Sequence, residues 1–227
     1  MIKKIRTEIT KGEEIRYISH LDYASAIERA IRRTKTPVAF SEGFNPHMKI
    51  SFASALAVGV TSATEYMDIE FKEEVNLDAF CEKLRQTLPD GIDLLHAKPL
   101  EGKNPALMAL TDLATYQIKI PVQSGFDLIE KSVADYNQAE VVNYVRYSPK
   151  KGKKEIEIKQ YMQRPIQIIG LNDHIVLELA IKITPTGSIK PSEVLKVLVE
   201  QFAMPICETE ALVHRTGLYC AGKTPIA

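Results

Sequence analysis

Short stretches of alternating hydrophobicity, separated by amphipathic stretches, follow one another along this chain in an order that repeats. Ile5, Thr7 and Ile9 alternate with charged residues, Lys11-Gly12 offers a turn, and Ile15 and Tyr17 resume the alternation. Residues 2–18 therefore read as a strand pair or one interrupted strand. Ser19 reads as a helix cap with Asp22 as its capping-box partner, and Tyr23, Ile27, Ala30 and Ile31 form an apolar stripe to about Thr34. A short strand is expected at Val38–Phe40, then a long loop at 41–63 with short structure near Phe52–Val58. A strand at Glu65–Phe71, a helix at Leu77–Leu88 and a strand at Ile92–Ala97 complete the first set.

After residues 99–112, which carry Gly102, Asn104 and Pro105, the pattern returns. Strands are expected at 114–122, 141–147, 155–162, 174–183 and 206–213. Helices are expected at 126–137 and at 191–202, the latter with Pro191 in its first turn. Each half reads roughly β-α-β-β-α-β, with one extra strand in the second. The fold class is thus α+β, two tandem ferredoxin-like halves with antiparallel sheets. The expected organisation is a domain at 1–100, a linker at 101–112 and a second domain at 113–227.

With 29 Lys/Arg against 29 Asp/Glu, no whole-molecule field draws the chain to nucleic acid or membrane. Local asymmetry is larger: residues 1–49 hold ten basic and six acidic side chains, and residues 50–110 hold five and ten. Cys81, Cys207 and Cys220 are far apart, which argues against a zinc or iron–sulfur site and for no cofactor. An odd cysteine count with no signal peptide points to the cytoplasm. The weakly polar run from Phe52 to Val60 is far too short to span a bilayer, so no membrane association is expected.

Polar residues concentrate between 16 and 66. Arg29 and Arg33 share a helix face with Arg32 beside them, and with Arg16 and Lys35 they suit phosphate oxygens. Ser41, Gly43, Phe44, Asn45 and His47 form a turn able to hold or stack on a ligand. His20, Asp22 and His47 are the candidate catalytic groups. His20 and His47 are expected to approach each other, although only Asp22 or Glu65 could join them around a metal, and no metal site is expected. The basic turn at 149–154, with Tyr144, Tyr147 and Tyr161 around it, would suit a nucleic-acid backbone. His214-Arg215-Thr216-Gly217 is a further polar turn with no recognisable chemistry.

Arg16-Tyr-Ile-Ser-His-Leu-Asp22, Glu28-Arg-Ala-Ile-Arg-Arg33 and Ser41-Glu-Gly-Phe-Asn-Pro-His47, with Ile50-Ser-Phe-Ala53, Leu56, Gly59 and Glu65, resemble the uncharacterised bacterial family called radical-SAM-linked proteins. Members are fused behind a radical SAM enzyme domain or encoded beside one, and lie near genes for ribosomal proteins and an RNase. The resemblance implies the stand-alone form and a radical SAM enzyme as partner, and it supplies no catalytic residues. The expected function is an accessory, RNA-binding or substrate-presenting protein acting with that enzyme on RNA or the translation apparatus. The alternatives are an RNA-processing enzyme using His47 or His20 and a protein–protein adaptor. A binding role is favoured over catalysis by the isolated chain.

Overall fold

The computed structural model describes residues 2–102, 104–121, 125–148, 152–171 and 174–227. It is a mixed α/β structure with mainly antiparallel strands. The chain divides into two compact units, Met1–Asp112 with Arg215–Ala227, and Leu113–His214.

In the first unit, β1 (Ile2–Lys11), α1 (His20–Arg33), β2 (Ile50–Phe52), β3 (Val60–Val75), α2 (Leu77–Thr87) and β4 (Leu94–Pro99) follow in order, then a short α3 (Leu107–Leu110). The sheet runs β4-β1-β3, and β2 pairs with β3. All three pairings are antiparallel. Because side chains alternate across a strand, register decides which residues share a face. Ile5 lies opposite Ile69, Thr7 opposite Met67 and Ile9 opposite Glu65. Ile5, Ile9, Met67 and Ile69 enter a core with Tyr23, Ile27 and Ile31 of α1 and Phe80 and Leu84 of α2. The intervening pairs, Lys4–Glu70, Arg6–Asp68 and Glu8–Tyr66, belong to the other face.

Several boundaries differ from expectation. β1 stops at Lys11, and residues 13–15 form a 3-10 turn rather than a second strand. The Gly12 amide donates to the Gly91 carbonyl at 2.7 Å, and Gly91 sits at φ 84°, where a side chain would be strained. Val38 and Phe40 make only isolated bridges, to Phe71 and Met48. The loop expected at 41–63 contains β2 and the start of β3, which is 16 residues long.

The second unit contains β5 (Leu113–Pro121), α4 (Phe126–Gln138), β6 (Asn143–Ser148), β7 (Gly152–Glu157), β8 (Gln167–Leu171), β9 (His174–Lys182) and α5 (Pro191–Phe202). β9 pairs antiparallel with β5 and β8, while β6 and β7 form a separate hairpin. Ile129, Val133 and Tyr136 of α4 and Val194, Leu195 and Leu198 of α5 are buried. The strand expected at 155–162 ends at Glu157, because its carboxylate accepts the backbone amides of Lys159 and Gln160 and holds a 3-10 turn there. β8 was not anticipated. β10 (Leu212–Tyr219) lies later than the expected 206–213, where Glu208–Glu210 form a 3-10 turn. It crosses the division at His214 and Arg215. Of the basic turn at 149–154, residues 149–151 lie outside the described residues. Lys153 and Lys154 are exposed on β7 opposite Tyr147 and Arg146.

Candidate functional site

The N-terminus of α1 is built as its sequence implies. Ser19 Oγ accepts the Asp22 amide at 3.1 Å and donates to the Asp22 carboxylate at 2.7 Å. Asp22 is thereby occupied in capping. Arg16 is buried rather than offered to a ligand. Its guanidinium grips both oxygens of Glu13, three residues earlier, and donates to the Gly59 carbonyl at 2.8 Å. The Gly59 amide returns a bond to the Arg16 carbonyl at 3.0 Å, so this arginine pins the segment leading into β3.

The other arginines lie in the second half of α1, roughly 14 to 20 Å from His20 at about 1.5 Å per residue. Arg29 and Arg32 are exposed, with no hydrogen bond or ion pair among the described residues. Arg33 is also exposed and donates to the Thr87 carbonyl, closing the end of α2. The expected cluster is therefore split into a structural Arg16 and an outward-facing helix end.

Residues 41–47 form a closed loop. The Ser41 amide donates to the His47 carbonyl at 2.8 Å, and the His47 amide donates to Ser41 Oγ at 3.0 Å. Gly43 takes φ 120°. Asn45 and His47 are exposed, and Phe44 is fully so at 105%. His47 and His20 are not joined by a hydrogen bond among the described residues. No group of three or more His, Cys, Asp or Glu side chains suited to a metal occurs among them.

Beneath the start of α1 lies an ionic centre. Lys11 is 1% exposed, Glu65 3% and Arg215 4%. Arg215 donates to both Glu65 oxygens, at 2.7 and 2.9 Å, and to Ser54 Oγ at 2.8 Å. The Lys11 ammonium donates to the carbonyls of Arg16 and Ile18, at 3.1 and 3.2 Å. His20 stands edge-on to Phe52, with ring centroids 5.2 Å apart, and its buried Nδ1 has no hydrogen-bond partner among the described residues. Burial pushes the His20 pKa below its ordinary value; Glu65 opposes the shift, and Arg215 and Lys11 add to it. Burial also lowers the Lys11 pKa, with Glu65 again opposing and Arg16 adding. A neutral imidazole is what two nearby cations and the positive end of a helix dipole favour.

The opposite face of the sheet carries a second network. Arg6 binds Asp68 through two bonds of 2.7 and 3.0 Å and donates to the Pro225 carbonyl at 3.0 Å. Glu8 accepts from Thr64 at 2.6 Å and from Tyr66 at 2.9 Å, and its other oxygen lies 2.8 Å from His96 Nδ1. Burial alone would raise the Glu8 pKa, yet the contacts from Thr64, His96 and Tyr66 together hold it below the usual value.

The model of a family described as an uncharacterized protein conserved in bacteria, DUF2344, matches residues 4–191. The chain belongs to that family. Among solved structures, a chain from the crystal structure of a Cbf5-Nop10-Gar1 complex is similar at 8% identity and a TM-score of 0.48. That similarity covers 93% of this chain and 48% of the other, so this chain spans about half its length. No curated protein matches.

Sequence reasoning named His20 and mentioned Glu65 only as a spare metal ligand. It missed Lys11 and left Arg215 without a role. A lysine or glutamate within an alternating strand reads as a solvent-facing residue, and only the register turns these two inward.

Proposed function

We propose that this DUF2344 chain is an RNA-facing accessory protein that works with a radical SAM enzyme, binding or presenting a substrate rather than catalysing a reaction alone. The observation that carries the reading is the outward end of α1, where Arg29 and Arg32 are exposed with no partner among the described residues. Guanidinium groups so placed suit phosphate oxygens through paired hydrogen bonds. Phe44 adds a fully exposed ring on a closed loop, and unstacked bases are held by such rings. The enzyme partner rests on the resemblance of residues 16–22, 28–33 and 41–47 to radical-SAM-linked proteins.

We read both units as ferredoxin-like. The order β1-α1-β2-β3-α2-β4, with strands arranged β4-β1-β3-β2, supports this for the first. The second fits if the β6-β7 hairpin is an insertion between α4 and β8. Among the described residues no helix is long and apolar enough to cross a membrane. The free cysteines Cys81, Cys207 and Cys220 support a cytoplasmic setting. The accessory role is preferred to a catalytic one because neither His20 nor His47 is oriented by a carboxylate hydrogen bond among the described residues.

Retention of total cellular RNA by the purified chain across a salt series tests this. The wild-type chain should bind, with affinity falling steeply as salt rises. Arg29→Ala with Arg32→Ala should flatten the log–log slope by about one per lost phosphate contact. Phe44→Ala should weaken binding with the slope kept. Absence of retention at low salt, or an unchanged slope in the arginine double variant, overturns the RNA reading.

A further inference from the structure

A cleft in the first unit adjoins the end of α1 that carries Arg32. It has a volume of about 270 Å³ and is framed by residues 35–37, which follow α1, by Val75 at the end of β3 and by the first half of α2. That is just under the roughly 300–1,000 Å³ of sites for drug-sized ligands, so a single nucleotide is the scale of occupant it admits.

The lining carries one sign of charge. Lys35 and Lys83 border the cleft, and no carboxylate does. Both lysines are exposed, and neither ammonium has a hydrogen bond or ion pair among the described residues. Asn76 caps α2 by accepting the Ala79 amide at 2.9 Å, and its own side-chain protons have no acceptor among the described residues. The remaining wall is mostly apolar: Pro37 and Ala79 are exposed, over the buried Val75 and Phe80. Two ammonium groups and an amide donor beside an apolar wall suit an anion that carries a flat organic body.

Backbone geometry is an independent sign. Lys35 sits at φ 55°, in the left-handed region, just past the α1 C-cap. Glycine is the ordinary residue there, because a side chain is strained. A lysine in that place keeps a cation at the cleft against its own conformational preference, and strain of this kind concentrates at binding sites. The Lys35 amide donates to the Arg32 carbonyl at 3.2 Å, so the lysine follows Arg32 by one turn, as Arg32 follows Arg29.

We propose that this cleft binds one nucleotide, with its phosphate held by Lys35 and Lys83 and its base laid against Pro37 and Ala79. The proposal rests on the RNA reading for the source of that nucleotide, which is the strand held by Arg29 and Arg32. An amine would face two ammonium groups, and inorganic phosphate would leave the apolar wall bare.

The test is a titration of the nitrogen-15-labelled full chain at pH 7.5 and constant ionic strength, followed by NMR through the backbone amides of Thr36 and Ala79. The probes are 5′-AMP, adenosine and inorganic phosphate. AMP should shift these signals saturably, at about fivefold or more lower concentration than either of its parts. Lys83→Gln and Lys35→Gly should each weaken the AMP response about fivefold, the effect of one ion contact at about 4 Å in water. Lys35→Gly should do so with the melting temperature unchanged or raised, because glycine relieves the left-handed strain. A non-saturating response, phosphate or adenosine acting at the same concentration as AMP, or an undiminished response in either lysine variant would overturn the proposal. RNA retained by the wild-type chain without an AMP response overturns this proposal alone. An AMP response without RNA retention overturns the RNA reading and, with it, RNA as the source of the nucleotide.

Discussion

Replacing Glu65 by Gln exposes how much of the first unit depends on its interior charges. In the folded chain Glu65 receives both of its Arg215 contacts in a site where each residue is less than 5% exposed. Gln keeps the volume and one carbonyl oxygen but removes the charge that receives the paired Arg215 contact and faces Lys11. Removing one partner of a buried pair costs about 3–5 kcal/mol. At about 2–4 °C per kcal/mol for a chain of this size, the melting temperature should fall by about 6–20 °C. Thermal melts by circular dichroism, with calorimetry to separate transitions of the two units, give the number. The charge mechanism makes a sharper demand: in an Arg215→Met background, Glu65→Gln should cost less than half as much, since the guanidinium is already gone. A fall below about 3 °C in the single variant, or an undiminished cost in the Arg215→Met background, would refute the argument that the pair is desolvated and mutually dependent.

Three further outcomes follow from other groups. His20 has a lowered pKa, so between that value and 6.5 the unfolded chain binds more proton than the folded one; stability therefore rises with pH across this interval, and His20→Gln should flatten that part of a melting-temperature profile. Tyr66→Phe removes a 2.9 Å donor from the Glu8 carboxylate and should cost about 1.5–3 kcal/mol above the acid range, with a smaller loss of stability on acidification because the Glu8 pKa is less depressed. The Tyr136 hydroxyl is buried with no partner among the described residues, so Tyr136→Phe should leave the second unit unharmed or stabilise it by about 1 kcal/mol in urea denaturation.

What could be read from the sequence was local. Ser19 and Asp22 sit three residues apart and cap α1 through each other, and Tyr23, Ile27, Ala30 and Ile31 are the residues that α1 buries. Pro191 marked the start of α5 for the same reason, since its missing donor costs nothing at a helix start. β3 was recognised only at Glu65–Phe71, because Thr61-Ser62 before it and Glu73-Glu74 after it interrupt the alternation that pairing overrides. In the sequence Arg16 reads as part of a cationic patch with the α1 arginines, although Glu13, its clamp, lies three residues upstream. The ionic centre carried no local signal: Glu65 and Arg215 are 150 residues apart and meet only through tertiary structure.

The Arg6–Pro225 bond joins residues 219 positions apart, and Arg215–Ala227 return to a unit otherwise complete by Asp112. During synthesis at about 5–20 residues per second, the 102 residues of Leu113–His214 take about 5–20 s to emerge. For that interval β3 displays Glu65 before its guanidinium partner exists. A nascent chain of this protein thus has a waiting period, long beside the microsecond events of helix and hairpin formation, in which the Glu65 carboxylate lacks both of its Arg215 hydrogen bonds. Chaperone capture and proteolysis of stalled chains should concentrate there, and should end when Arg215 arrives.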